Sequence, residues 1–145
     1  MADPTLAEIM TALADQIRSG VNGLDASLQV NDRQNPNPTP PALDIYPADP
    51  FQDRAAFGPG AHAVYFTVRA RVATAENTGG QELLLDLMDP RAGTSVAQAI
   101  EADTTLSGKV EDTAVVEGPS GFLQFNDIAG QGSWLGCQWR VAVMI

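Results

Sequence analysis

Basic residues are scarce in this 145-residue chain. Eight Lys and Arg stand against 18 Asp and Glu, which gives a formal net charge of −10. So acidic a chain repels phosphate, which argues against duplex wrapping or a single-strand channel unless the bases cluster. They are scattered instead, and only Arg69 and Arg71 lie close together in sequence. Anionic membrane surfaces are disfavoured by the same electrostatics. Cysteine is nearly absent. Cys137 alone allows no internal disulfide and no Cys-rich zinc site, and it suits a reducing compartment. No apolar run approaches the roughly 20 residues of a membrane-spanning helix. The opening MADPTLAEIM lacks the cationic and apolar stretches of a secretion signal. The expectation is an acidic, soluble, intracellular chain, and its length fits one domain. With 44% hydrophobic and 18% charged residues, it has the composition of a globular protein.

Hydrophobic spacing outlines the elements. Leu6, Ile9, Met10, Leu13, Ala14 and Ile17 form one apolar stripe at helical period. Asp3 is the expected cap of that helix, Pro4 suits its first turn, and Gly20 is the expected stop. Alternation over 24–30 predicts a half-buried strand. The connector NDRQNPNPTPP (31–41) follows, stiffened by four prolines, and ALDIY (42–46) reads as a short strand. Residues 47–60, PADPFQDRAAFGPG, hold too many breakers for a helix or strand, yet they carry Phe51 and Phe57. Residues 61–73 alternate most clearly: Val64, Phe66, Val68, Ala70 and Val72 share one face, and Tyr65, Thr67, Arg69 and Arg71 the other. Thr78–Gln81 and Ser95–Gln98 match capping boxes before two helices that Pro90 separates. A hairpin is expected around 118–121. A last strand from Trp134 to Ile145 should place Leu135, Cys137, Trp139, Val141, Val143 and Ile145 on one face. This order predicts an α+β fold: a mainly antiparallel sheet packed against helices, in a single domain spanning 1–145 with a long Pro/Gly-rich loop.

Chemistry-bearing motifs are few. His62 is the only histidine, so any Ser-His-Asp or Cys-His arrangement must use it; otherwise it is a strand-end histidine with ordinary hydrogen bonds. Cys137 falls in the inward register of a strand, where burial makes a thiol inert. Asp44, Asp49 and Asp53 surround the Phe-containing loop, but their spacing does not match an EF-hand. Glycine pairs occur without a nucleotide-binding signature. No catalytic residue, metal ligand or cofactor site is assigned. Two features stand apart from this. Phe51 and Phe57 either tuck back onto the domain or anchor a partner. The Tyr65/Thr67/Arg69/Arg71 face is either solvated or an interface where the arginines meet acids of an adjacent copy.

From residue 63 onward, "VYFTVRARVATAE", "ELLLDLMDPRAGTSVAQAIEAD" and "TTLSGKVEDTAVVE" resemble the middle of tail terminator, or tail-completion, proteins of long-tailed double-stranded DNA phages. The final "GCQWRVAVMI" is similar to that family's closing strand. The resemblance implies a small α+β fold with no enzymatic activity and no cofactor. It also implies a homo-oligomeric ring, a hexamer, at the head-proximal end of the tail tube, assembled in the host cytoplasm. Such a ring ends tube polymerisation and meets tail tube protein on one side and head–tail connector proteins on the other. DNA passes through without specific binding, and no membrane is involved. Phe51, Phe57, Tyr65, Arg69 and Arg71 are the candidate contact residues. A neck or head-completion connector of the same virion is the neighbouring reading. The reading from a different class is a small-ligand α+β domain or enzyme that uses His62 with Asp44 or Asp49.

Overall fold

The apolar stripe near the N-terminus folds as helix α1 (Leu6–Gly20), with Ile9, Met10, Leu13, Ala14 and Ile17 buried. A computed structural model describes residues 4–21, 28–34, 41–52, 63–73, 78–126 and 133–145. Thr5, not Asp3, is the N-cap: its hydroxyl accepts from the Glu8 N–H at 3.1 Å. Gly20 also has a different role from the expected stop. The helix closes at Val21, whose N–H reaches the Ile17 carbonyl. A Cβ on Gly20 would lie 2.2 Å from the Ala99 Cβ, so glycine here lets two helices touch.

Strand β1 (Gln29–Asn31) runs parallel to β2 (Ala42–Gln52), and β2 runs antiparallel to β3 (Ala63–Ala73). The chain then forms α2 (Thr78–Met88) and α3 (Val96–Glu101). It finishes with β4 (Asp112–Glu117), β5 (Leu123–Asn126) and β6 (Ser133–Met144). The six-stranded sheet has the order β1-β2-β3-β6-β4, with β5 also pairing β6. This is the α+β class, with a mixed and mostly antiparallel sheet.

Several local expectations change. β2 does not end at residue 46; it continues through Pro47 and Pro50, with a register shift between Pro47 and Gln52. Prolines are tolerated where a strand bulges and a ladder donor is not needed. Of the predicted loop, 53–60 lies outside the described residues, as do 24–27 of the first predicted strand and most of the 31–41 connector. α2 begins at Thr78 itself, so the predicted box belongs to its first turn. The second box is half formed. Ser95 caps α3 by accepting from the Gln98 N–H at 3.2 Å, while the Gln98 amide donates to the Pro90 carbonyl.

The expected hairpin around 118–121 is not one. β3 occupies one edge of β6 along its length, and β4 and β5 both pair antiparallel to β6 on the other. They are two pieces of one interrupted path. Ser120 bridges the gap: its N–H donates to the Gln138 carbonyl and its hydroxyl accepts from the Gln138 N–H, both at 3.0 Å.

The core joins the buried stripe of α1, Leu83, Leu84 and Leu87 of α2, and Val96 and Ile100 of α3 to one face of the sheet. That face carries the predicted β3 set, plus Cys137, Trp139, Val141 and Val143 from β6. Leu135 is half-buried, and Ile145 lies exposed beyond the strand end. Two polar devices hold the helical layer. The Gln16 amide donates to the carbonyls of Ala99, Ile100 and Asp103, which caps the end of α3 from α1. Asp103 then accepts from the Thr105 hydroxyl and from the Ser107 and Thr105 N–H groups, and these bonds hold its carboxyl below the usual value. That loop keeps buried Leu106 at φ 50°, with Ser107 and Gly108 also left-handed.

Gly20→Ala tests the α1–α3 contact. Helix propensity alone would favour alanine by about 1 kcal/mol. The clash with Ala99 should reverse the sign and cost about 1–3 kcal/mol, the usual range for overpacking. Urea unfolding checks this, and a stabilised variant would show that the helices are not in contact.

Candidate functional site

The face of the sheet opposite the helices is where the sequence places its two neighbouring arginines. Strand alternation puts Asp44 and Tyr46 of β2, Arg69 and Arg71 of β3, and Trp134 and Gly136 of β6 on this side. Cross-strand register sets Asp44 directly opposite Arg69 and Arg71 opposite Gly136. Arg69 grips Asp44 with two parallel bonds, Nε to Oδ1 at 2.8 Å and Nη2 to Oδ2 at 2.9 Å. Arg71 adds a contact from Nη2 to Oδ2 at 3.2 Å. One carboxylate thus meets two guanidiniums.

Aromatic rings cover this knot. The Arg69 guanidinium carbon lies 4.8 Å from the Tyr46 ring centre and 5.8 Å from that of Phe125. Arg71 lies 5.4 Å from the Trp134 ring. Planar guanidinium groups stack on such faces while their N–H groups stay in plane to bond. Gly136 makes room for the arrangement: a Cβ there would fall 2.1 Å from the Ala70 carbonyl oxygen and 2.9 Å from the Phe125 ring. The result is deep burial. Asp44 is 0% exposed, and the Arg69 and Arg71 side chains are 12% and 2% exposed. Burial lowers the Arg71 pKa from its ordinary value, with Asp44 opposing, and raises that of Tyr46, with Arg69 opposing.

The acid that meets Arg69 and Arg71 therefore belongs to this chain, and Arg71 is buried within it. Tyr65 is half-buried and carries the Arg140 guanidinium 4.3 Å above its ring. Phe51 lies inside β2, half-buried, with its ring edge-on to Phe66 at 5.6 Å between centres. It packs against the core as a strand residue. Phe57 and His62 lie outside the described residues. Asp44 and Asp49 do not share a site: Asp44 is locked in the knot, and Asp49 lines a cleft beside Arg140.

That cleft went unnoticed in the sequence. Arg140 reaches across it, donating from Nη2 to the Pro50 carbonyl at 2.8 Å. On one side is a cavity of about 440 Å³ bordered by Asp49, Thr67, Ser120 and Gln138. On the other is one of about 490 Å³ bordered by Pro50, Tyr65 and Val116. Glu117 and Arg140 border both. A third hollow, about 710 Å³, runs beside α1 and is walled by small and polar side chains such as Ala7, Thr11 and Ser19. Among the described residues, no three of His, Cys, Asp and Glu are grouped to hold a metal ion.

Two measurements follow from the geometry. Asp44→Asn removes the carboxylate charge that both buried guanidiniums share, and should lower unfolding stability by about 3–5 kcal/mol. A loss below about 1 kcal/mol by urea unfolding would mean that the knot does not hold the sheet. Burial pushes the Cys137 thiol up to about 12, so a disulfide reagent at pH 8 should label it only as fast as the chain unfolds. Rapid labelling of the folded chain would place it outside the core. No protein-family model and no curated protein sequence matches this chain.

Proposed function

We propose that the chain is a non-enzymatic structural subunit of a phage virion: a tail terminator that forms a homo-oligomeric ring on the head-proximal end of the tail tube. The ring ends tube growth and offers the surface on which head–tail connector proteins dock. The observation that carries the reading is the Asp44–Arg69–Arg71 knot. The charges of that knot are spent on fixing a sheet, buried under Tyr46, Phe125 and Trp134, and they line none of the described cavities. Such a rigid sheet, with exposed apolar residues along its β4–β5 side, suits assembly.

The phrases that resemble the family fall on defined elements: β3, the α2–α3 pair, the loop into β4, and β6. Internalising Arg69 and Arg71 also leaves the outer surface more acidic than the net charge suggests. Copies with that surface turned to a ring's lumen would repel phosphate, so DNA would cross without sticking.

Native mass spectrometry of the purified chain, alone and with tail tube protein, is the test. The expected result is a discrete ring-sized assembly in at least one of the two mixtures. A chain that stays monomeric with tubes present would overturn the proposal.

A further inference from the structure

We infer that the β4 edge of the sheet is a docking site for an extended, basic segment of a partner protein, which adds to the sheet as another strand. The two outer strands differ. At β1, the Arg18 guanidinium donates to the Val30 carbonyl at 2.6 Å and closes that edge. β4 pairs only with β6 among the described strands.

The directions of its backbone groups follow from the gap at Ser120. Gln138 turns both its N–H and its carbonyl toward this side of β6, and alternation makes Arg140, Ala142 and Met144 do the same. Asp112 and Ala114, paired with Met144 and Ala142, therefore spend their N–H groups on β6. Thr113 and Val115 present theirs outward. An antiparallel or parallel strand can bond to that row, as in other cases of strand addition.

Side chains along the edge specify the occupant. Val116 is 49% exposed, and Phe122 and Leu123, farther along the same side, are also exposed. Glu111, Asp112 and Glu117 are exposed, and Asp49 borders the adjoining cleft. None of these four carboxylates has an ion-pair partner among the described residues. The cations nearby are Lys109, at the start of the edge, and Arg140, already engaged by Pro50 and Tyr65. The edge thus carries a net negative charge around an apolar centre, complementary to a strand that alternates basic and apolar residues. A second copy of this chain does not supply one: Arg69 and Arg71 are buried in their knot, and Arg140 lies in a central strand. This inference is independent of the ring reading.

The full chain, isotope-labelled, is titrated with a nonapeptide alternating lysine with valine and threonine, and with its glutamate-for-lysine counterpart. The basic peptide should give saturable amide shifts centred on β4, slow hydrogen exchange at Thr113 and Val115, and bind at least tenfold tighter than the acidic one. The triple variant Glu111→Lys, Asp112→Lys, Glu117→Lys should reverse that preference. Shifts centred elsewhere, or equal binding of the two peptides by the unaltered chain, would overturn the inference without reference to the variant.

Discussion

A buried carboxylate must be neutralised, and the structure is organised around how Asp44 is. Taking an ion pair out of water costs several kcal/mol per charge, so it persists only where geometry and further hydrogen bonds offset the penalty. Here the offset needs three strands to be in register at once. Arg69 faces Asp44 from the neighbouring strand, Arg71 reaches the same carboxylate, and Gly136 on the next strand clears space for Phe125 to cover the group. A one-residue slip of β2 against β3 would turn Asp44 toward the helices and leave the arginines facing solvent or apolar neighbours. The knot is thus a register device as much as a source of stability.

Its consequence for the rest of the chain is a division of labour between the two sheet faces. One face is sealed by α1, α2 and α3 over a largely apolar layer that includes Cys137 and Trp139, with Thr113 buried at its β4 side. The other holds itself together with charge and aromatic cover, without a helical layer among the described residues. Along that second face, Arg140 repeats the theme in a more open setting: a guanidinium over Tyr65, anchored on a backbone carbonyl, between two cavities. Rigid backing on one side and accessible edges and clefts on the other are what a subunit needs if its purpose is contact. The proposed ring role draws on that asymmetry.

Much of the fold was legible because periodicity is a direct image of burial. The stripe of α1, the alternation of β3 and the inward set of β6 all follow from one apolar face each. What escaped depended on partners distant in sequence. Thr5 outcompetes Asp3 as a cap through a hydrogen bond that pattern alone does not rank. Gly20 looked like a helix stop because its neighbour Ala99 is 79 positions away. Gly118 and Pro119 looked like a turn, but both flanking strands found β6 more favourable than each other. The knot left a faint trace: Asp44 is a lone acid in an otherwise apolar ALDIY, at the same strand parity as Tyr46, while Arg69 and Arg71 share parity in β3. Pairing those two strands would have predicted the ion pair, and with it that both arginines meet an acid of their own chain.

The central claim, that a rigidly registered acidic subunit surrounds a passage for DNA, is tested most directly by electron cryomicroscopy of tails assembled with this chain. The account predicts a ring of copies at the head-proximal end, with the Asp44 knot inside each subunit and Asp and Glu side chains facing the lumen. A lumen lined by Arg and Lys, or tails with no density for the chain at that end, would contradict it.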